Sequence, residues 1–108
     1  MLYSERRQHR RYVVQGKAGF KTSTGRITAE LVDLGKGGVL VLASSDSITV
    51  GEPIHVHIAI VGYPVEIETN GRVARIDTHS IGIVFVDSPV ELDEAVLWLE
   101  AGFLSALL

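Results

Sequence analysis

Pro53-Ile54-His55-Val56-His57-Ile58-Ala59-Ile60 is the stretch on which the fold turns. Ile54, Val56, Ile58 and Ile60 alternate with His55, His57 and Ala59. That is the period of a strand with one face inward and one outward. Gly62-Tyr63-Pro64 turns the chain, and Val65, Ile67, Thr69 and Val73 repeat the alternation against Glu66, Glu68 and Arg72. Asn70-Gly71 falls inside this second run and is read as a bulge or bend within one long strand. Upstream, Arg11 to about Thr22 reads as a strand with Val14, Ala18 and Phe20 on one parity. Ser23-Thr24-Gly25 is a turn, and Ile27, Ala29 and Leu31 carry a further strand to about Asp33. Val39 to Ala43 is apolar on both parities, as a strand covered on two sides or lying in a crowded barrel would be. Ile81 to Val86 is a short apolar strand.

Ser88-Pro89 changes the rhythm. Ser88 can cap a helix, Pro89 suits its first position and Glu91 stands three after Ser88. Leu92, Val96, Leu99, Phe103 and Leu107 then recur at helical spacing. The expected layout is six short strands followed by one helix. Closing the strands into an antiparallel barrel removes the long edges that an open sheet would expose. The fold class is therefore all-β with a C-terminal helix. One domain fills residues 1–108: an Arg-rich, flexible segment 1–11, a barrel 12–87 and a helix 88–108.

Composition excludes several functions. The 108 residues contain no cysteine, so disulfides, thiolate metal sites and thiol nucleophiles are absent. The charged start lacks the apolar core of a secretory signal, and the apolar stretch 95–108 is shorter than the roughly 20 residues that span a bilayer. A soluble, cytoplasmic protein without membrane insertion is expected. Net charge is −3, but it is uneven. Arg6, Arg7, Arg10 and Arg11 stand against Glu5 alone, whereas residues 87–108 hold five acids and no Lys or Arg. A basic head on an acidic chain points to a local anion site. A general nucleic-acid surface would be basic overall, with aromatics interleaved among the basic residues.

His55 and His57 share a strand face, but the sequence offers no third ligand, and no metal site is expected. Neither Asp93-Glu94 nor Glu66/Glu68 sits in a recognisable acid–base arrangement, and no nucleophile–base pair is discernible. Enzymatic activity is not expected.

Two features carry chemistry. Arg6-Arg7-Gln8-His9-Arg10-Arg11 offers guanidinium forks, which match phosphate oxygens and the guanine Hoogsteen edge. Asp33-Leu34-Gly35-Lys36-Gly37-Gly38 offers a carboxylate for guanine N1–H and N2–H₂. It also has glycines that permit positive φ and close approach of backbone N–H groups to a ligand. Together they describe a site for a phosphorylated guanine compound.

The paired pattern R-x-x-x-R (Arg7 to Arg11), followed after about twenty residues by D-x-S-x-x-G (here Asp33 to Gly38), resembles the PilZ domain. Gly71-Arg72-Val73-Ala74-Arg75 and Ile81-Gly82-Ile83-Val84-Phe85 are similar to the later strands of that family, so the resemblance covers nearly the whole chain. It implies a six-stranded barrel with a C-terminal helix and a bacterial receptor for the second messenger cyclic di-GMP. Arg7 and Arg11 would grip phosphates and guanine edges, Asp33 would take the guanine Watson–Crick edge, and Gly38 would allow close approach. Arg6, preceding the first motif arginine, would favour a stacked pair of ligands. Gly35 replaces the motif serine. The missing hydroxyl would cost roughly 0.5–1.5 kcal/mol of binding, and the extra glycine would loosen the loop.

By the same resemblance, ligand would order the N-terminal segment and signal to a protein partner in motility, adhesion or exopolysaccharide output. No cofactor is implied. The alternative is a degenerate module that binds a protein and no nucleotide. Leu97, Trp98, Leu104 and Leu108 fall partly outside the stripe the barrel needs, which suits either a broad core-facing stripe or a partner surface, including a homodimer through the helix.

Overall fold

The computed structural model describes residues 10–45 and 47–106. Strand follows strand with short links: β1 (Arg11–Val13), β2 (Gly16–Thr22), β3 (Gly25–Gly35), β4 (Gly38–Leu42), β5 (Pro53–Ile60), β6 (Ile67–Ile76) and β7 (Ser80–Phe85), then α1 (Val90–Ala106). Every pairing is antiparallel. The order β3-β2-β5-β6-β7-β4 returns to β3, because β3 pairs with β4 as well, and six strands close a barrel. The seventh strand, β1, runs along the last three residues of β3, with Arg11 opposite Gly35 and Val13 opposite Asp33.

The long strand expected from Arg11 to Thr22 is thus two. Val14 and Gln15 interrupt it, yet the Val14 N–H still donates to the Val32 carbonyl at 3.2 Å. The broken strand follows one edge of β3 throughout, as β2 pairs with the first half of β3 and β1 with its end. Asn70-Gly71 does lie within one long strand, β6. The register shift of that strand sits instead between Val73 and Arg75, around Ala74.

The period-two segments send their apolar parity inward. Phe20, Leu34, Ile58, Ile67, Ile81 and Ile83 are fully buried. Each such side chain stabilises the fold by roughly 1.5–3 kcal/mol through the area it removes from water. Thr69 is the one buried polar residue among those described, and its hydroxyl donates to the Asp87 carbonyl at 3.2 Å. That bond ties β6 to the link into α1.

The first helical bonds run from the Leu92 and Asp93 N–H groups to the Pro89 carbonyl. The helix therefore opens at Val90, one residue beyond the expected start, with Pro89 in the capping place. Leu92, Ala95 and Val96 are buried against the barrel, and α1 packs on β6 and β1. No helix among the described residues is long and apolar enough to cross a membrane.

Candidate ligand site at the join of β1, β3 and β4

Strand alternation gives the three residues of β1 three different surroundings. Arg11 is half-buried, Tyr12 is buried and Val13 is exposed. The Arg11 Nη1 donates to Asp33 Oδ1 at 3.0 Å, and their side chains are 27% and 17% exposed. These residues are 22 apart in sequence. The pairing of β1 with the end of β3 brings them together. Of the expected site residues, Arg11, Asp33, Gly35 and Gly38 gather here. Arg6 and Arg7, and with them most of the segment 1–11, lie outside the described residues.

The two motif glycines act differently from expectation. Positive φ occurs at Gly25, Gly51 and Gly62, not at Gly35 or Gly38. Gly35 is buried in β3 and Gly38 is buried in β4, so only Lys36 and Gly37 form the bend. The loosened loop expected from Gly35 is therefore not what the fold holds. What both positions require is closeness. A Cβ at Gly35 would run into the Arg10 carbonyl oxygen, and one at Gly38 would run into the Ile83 carbonyl oxygen. A Cβ at Gly38 would also stand 3.2 Å from Arg11 Nη2, so the guanidinium lies directly over this glycine.

A pocket of about 210 Å³ opens on the barrel wall beside the ion pair. Arg11 and Asp33 line it, with Leu40 of β4, Arg75 of β6 and Gly82 of β7 among its other walls. Arg75 is a cation the sequence reading did not single out as a site residue. Its Nε lies 2.9 Å from Asp77 Oδ2, an ion pair. The sequence signal was its place in the Gly71–Arg75 stretch already noted, and the register shift before it turns it toward the site.

A larger groove, about 900 Å³, lies on the other side of Arg11, between β1 and the second half of α1. Its lining is mostly apolar, with Tyr12, Trp98, Leu99 and Phe103 among the walls. The Tyr12 hydroxyl donates to Glu100 Oε2 at 3.2 Å, and its ring meets Phe103 edge-on at 5.9 Å. Burial pushes the Tyr12 phenol above its ordinary pKa, and the Glu100 carboxylate adds to the shift. Arg10 stands over the Phe103 ring at 5.5 Å. Arg11 thus borders both cavities, while its neighbours Arg10 and Tyr12 hold the helix.

The histidine face is separate from this site. His55 Nε2 lies 2.9 Å from Glu68 Oε1 and His57 Nε2 lies 2.6 Å from Glu66 Oε1. Each ring faces its own carboxylate. No group of three or more metal-type ligands converges among the described residues. Hydrogen bonds to Asn70 and Glu68 raise the His55 pKa, and the bond from His55 lowers that of Glu68.

The fold matches a known architecture. The PilZ domain family model matches residues 5–100. The chain superposes on the PilZ domain of YcgR from Escherichia coli, solved with c-di-GMP, with a TM-score of 0.78 at 15% identity, covering 94% of this chain and 97% of that one. It superposes on the Bacillus subtilis inhibitor of motility MotI/DgrA with a TM-score of 0.77 at 19% identity, covering 93% of this chain but 52% of that one. The chain thus spans about half the length of MotI. The PlzA protein of Borreliella burgdorferi, solved in complex with c-di-GMP, gives a TM-score of 0.60 at 20% identity, with 92% and 41% covered. No curated protein sequence matches. With the family model spanning both motifs, all six barrel strands and most of α1, the chain belongs to the PilZ domain family.

Proposed function

We propose that this protein is a cytoplasmic, non-enzymatic receptor for cyclic di-GMP. The observation that carries the reading is the meeting of Arg11, Asp33 and Gly38 from three strands: Arg11 and Asp33 pair beside one small pocket, and Gly38 lies under the Arg11 guanidinium. These are the second arginine, the aspartate and the last glycine of the paired motif. Arg7 joins Arg11 on phosphates and guanine edges, and Asp33 accepts from the guanine Watson–Crick edge. Arg6 favours a stacked pair of ligands. Two similar folds, those of YcgR and PlzA, were solved with c-di-GMP.

Arg11 and Asp33 satisfy each other, so a nucleotide must exchange that ion pair for its own contacts. Exchange frees β1 to shift, and a shift of β1 reaches α1 through Tyr12 and Glu100. The signal then passes to a protein partner. Its output belongs to motility, adhesion or exopolysaccharide machinery, and the likeness to an inhibitor of motility favours the first.

One observation favours a second reading. Gly35 replaces the motif serine, and the Arg11–Asp33 pair already occupies the carboxylate. A module that kept the fold, lost the nucleotide and bound only a protein would look like this.

Isothermal titration calorimetry with cyclic di-GMP separates the two. Wild type is expected to bind at micromolar affinity or tighter, with two ligands per chain at saturation. Arg7→Ala/Arg11→Ala is expected to weaken binding at least a hundredfold while leaving a folded barrel. A folded wild type that evolves no heat rejects the receptor and leaves the protein-binding module. One ligand per chain rejects the role given to Arg6.

A further inference from the structure

Strand β1 ends the sheet order, and among the described residues its one strand partner is β3. Backbone groups alternate sides along an antiparallel strand. The Val14 N–H turns toward β3 and donates to the Val32 carbonyl. The Gln15 carbonyl turns the other way and accepts from the Val61 N–H at 2.9 Å. Arg11 and Val13 share the parity of Gln15, so their N–H and C=O groups point away from β3. Val61, the residue after β5, covers the edge at Gln15, but no described strand continues along Arg11 to Val13. Val13 is 89% exposed beside this edge. Such a row of main-chain donors and acceptors is a template for another strand.

The groove of about 900 Å³ follows this edge, since Arg10, Arg11, Tyr12 and Val13 all line it. Successive side chains of a strand point to opposite faces, so a cavity that meets all of them runs along the edge and not over one face. The other wall is α1, with Trp98, Leu99 and Phe103. From Trp98 to Ser105 the helix rises about 10 Å, roughly the span of three extended residues. The charged side chains of the lining are Arg10 and Arg11, both cations. Glu100 stands outside the lining and accepts from the Tyr12 hydroxyl. Arg11 is held by Asp33, whereas Arg10 is exposed and lies on the Phe103 ring. A second copy of β1 laid here would bring its own arginines among these. The occupant that fits is extended, apolar toward α1 and acidic where it meets Arg10.

We propose that β1 takes up an extended, acidic segment of a partner protein as an added strand. The main chains of Arg11 and Val13 hydrogen-bond the segment, one of its apolar side chains enters the groove and its carboxylate meets Arg10. Main-chain bonds supply affinity in this mode, and the pockets for alternate side chains supply specificity. The inference names how the partner of the receptor reading is held, but it does not depend on the nucleotide. Its test is run without cyclic di-GMP, so its failure is distinct from a failure of the calorimetry above.

The probe is the peptide acetyl-Thr-Val-Leu-Thr-Glu-amide, which laid antiparallel sets its Leu opposite Tyr12 and its Glu opposite Arg10. Titrated into the full chain and followed by amide NMR, it is expected to give saturable shifts centred on Arg11 and Val13. Val13→Pro removes one outward N–H and spares the ladder to β3, because proline is tolerated where an edge-strand N–H faces solvent. That variant is expected to keep the wild-type circular dichroism spectrum and to bind roughly tenfold more weakly. Methylating the backbone nitrogen of the peptide's Val, which falls opposite Val13, is expected to cause a similar loss with the protein untouched. Lys in place of the peptide's Glu is expected to weaken binding several-fold, and Arg10→Glu to reverse that preference. A wild type that shows no saturable shift overturns the proposal. Binding indifferent to both Val13→Pro and the methylated peptide overturns the added strand, and indifference to Glu or Lys overturns the acidic partner. Shifts of Arg11 and Val13 that grow with protein concentration in the absence of peptide also overturn it and assign the edge to a second copy.

Discussion

Two cation–carboxylate pairs, Arg11–Asp33 and His55–Glu68, bridge neighbouring strands at almost the same separation, 3.0 and 2.9 Å. Their surroundings differ. His55 and Glu68 stand on the broad wall of β5 and β6 with 41% and 65% of their side chains exposed. The strands beneath them are paired over six register positions and need no help from the charges. Exposed pairs of this kind contribute at most about 1 kcal/mol. Arg11 and Asp33 are more enclosed, and the strand that carries Arg11 is three residues long. There the ion pair, the Tyr12–Glu100 bond and the Tyr12–Phe103 contact make up much of what holds β1 down. The same chemistry ornaments one wall and fastens the other. A fastening that a ligand can compete for is a means of control, and an ornament is not.

The sharpest way to break this comparison is Gly35→Ser, which writes the motif residue back into the chain. Its Cβ would strike the Arg10 carbonyl, so β1 must lift or shift. Destabilisation of about 1–3 kcal/mol is expected in urea denaturation, from overpacking. Amide exchange should quicken in Arg11–Val13 and stay unchanged in β5 and β6. A variant as stable as wild type would mean that β1 is not closely held.

A smaller effect is expected from Tyr12→Phe, which removes the bond to Glu100 and keeps the ring on Phe103. The cost should be about 0.5–1.5 kcal/mol, measured by the same denaturation. A full loss of β1 protection would show that the hydroxyl alone anchors the strand.

The smallest effect belongs to the histidine wall, and pH reads it. The His55 pKa is raised above 6.5, so its contribution is complete below 6.5 and fades as pH rises through the folded value. The Glu68 pKa is lowered below 4.5, so its contribution is complete above 4.5 and fades as pH falls through the folded value. The pair therefore acts fully between about pH 4.5 and 6.5. The melting temperature of wild type minus that of Glu68→Gln should be greatest in that window and shrink on either side. A difference that is flat with pH would remove the charge from the account.

Much of the barrel was legible because its signal is local. Ile54, Val56, Ile58 and Ile60 alternate whatever the rest of the chain does, and all four are buried. The break at Val14–Gln15 was not legible. Val14 continues the apolar parity, is itself buried and keeps its ladder bond, so nothing in the spacing marks the interruption. The glycine turn was half legible. Gly35 and Gly38 were noticed as glycines, but the atoms that exclude a side chain belong to Arg10 and Ile83, one of them 45 positions away from Gly38 in the chain. Periodicity carries no record of such a neighbour. The meeting of Arg11 with Asp33 was readable only through the paired motif. The groove beside Tyr12 was not readable at all, since it exists only where β1 and α1 come together.

That groove has an optical consequence. Trp98 is the single tryptophan of the chain, it is 42% exposed on the groove wall, and its ring lies 5.0 Å from that of Tyr63. Its emission colour follows the wetness of that wall. The molecule thus carries its own dye at the one surface where β1 meets the helix, and a fluorimeter can watch that surface fill or empty without a label.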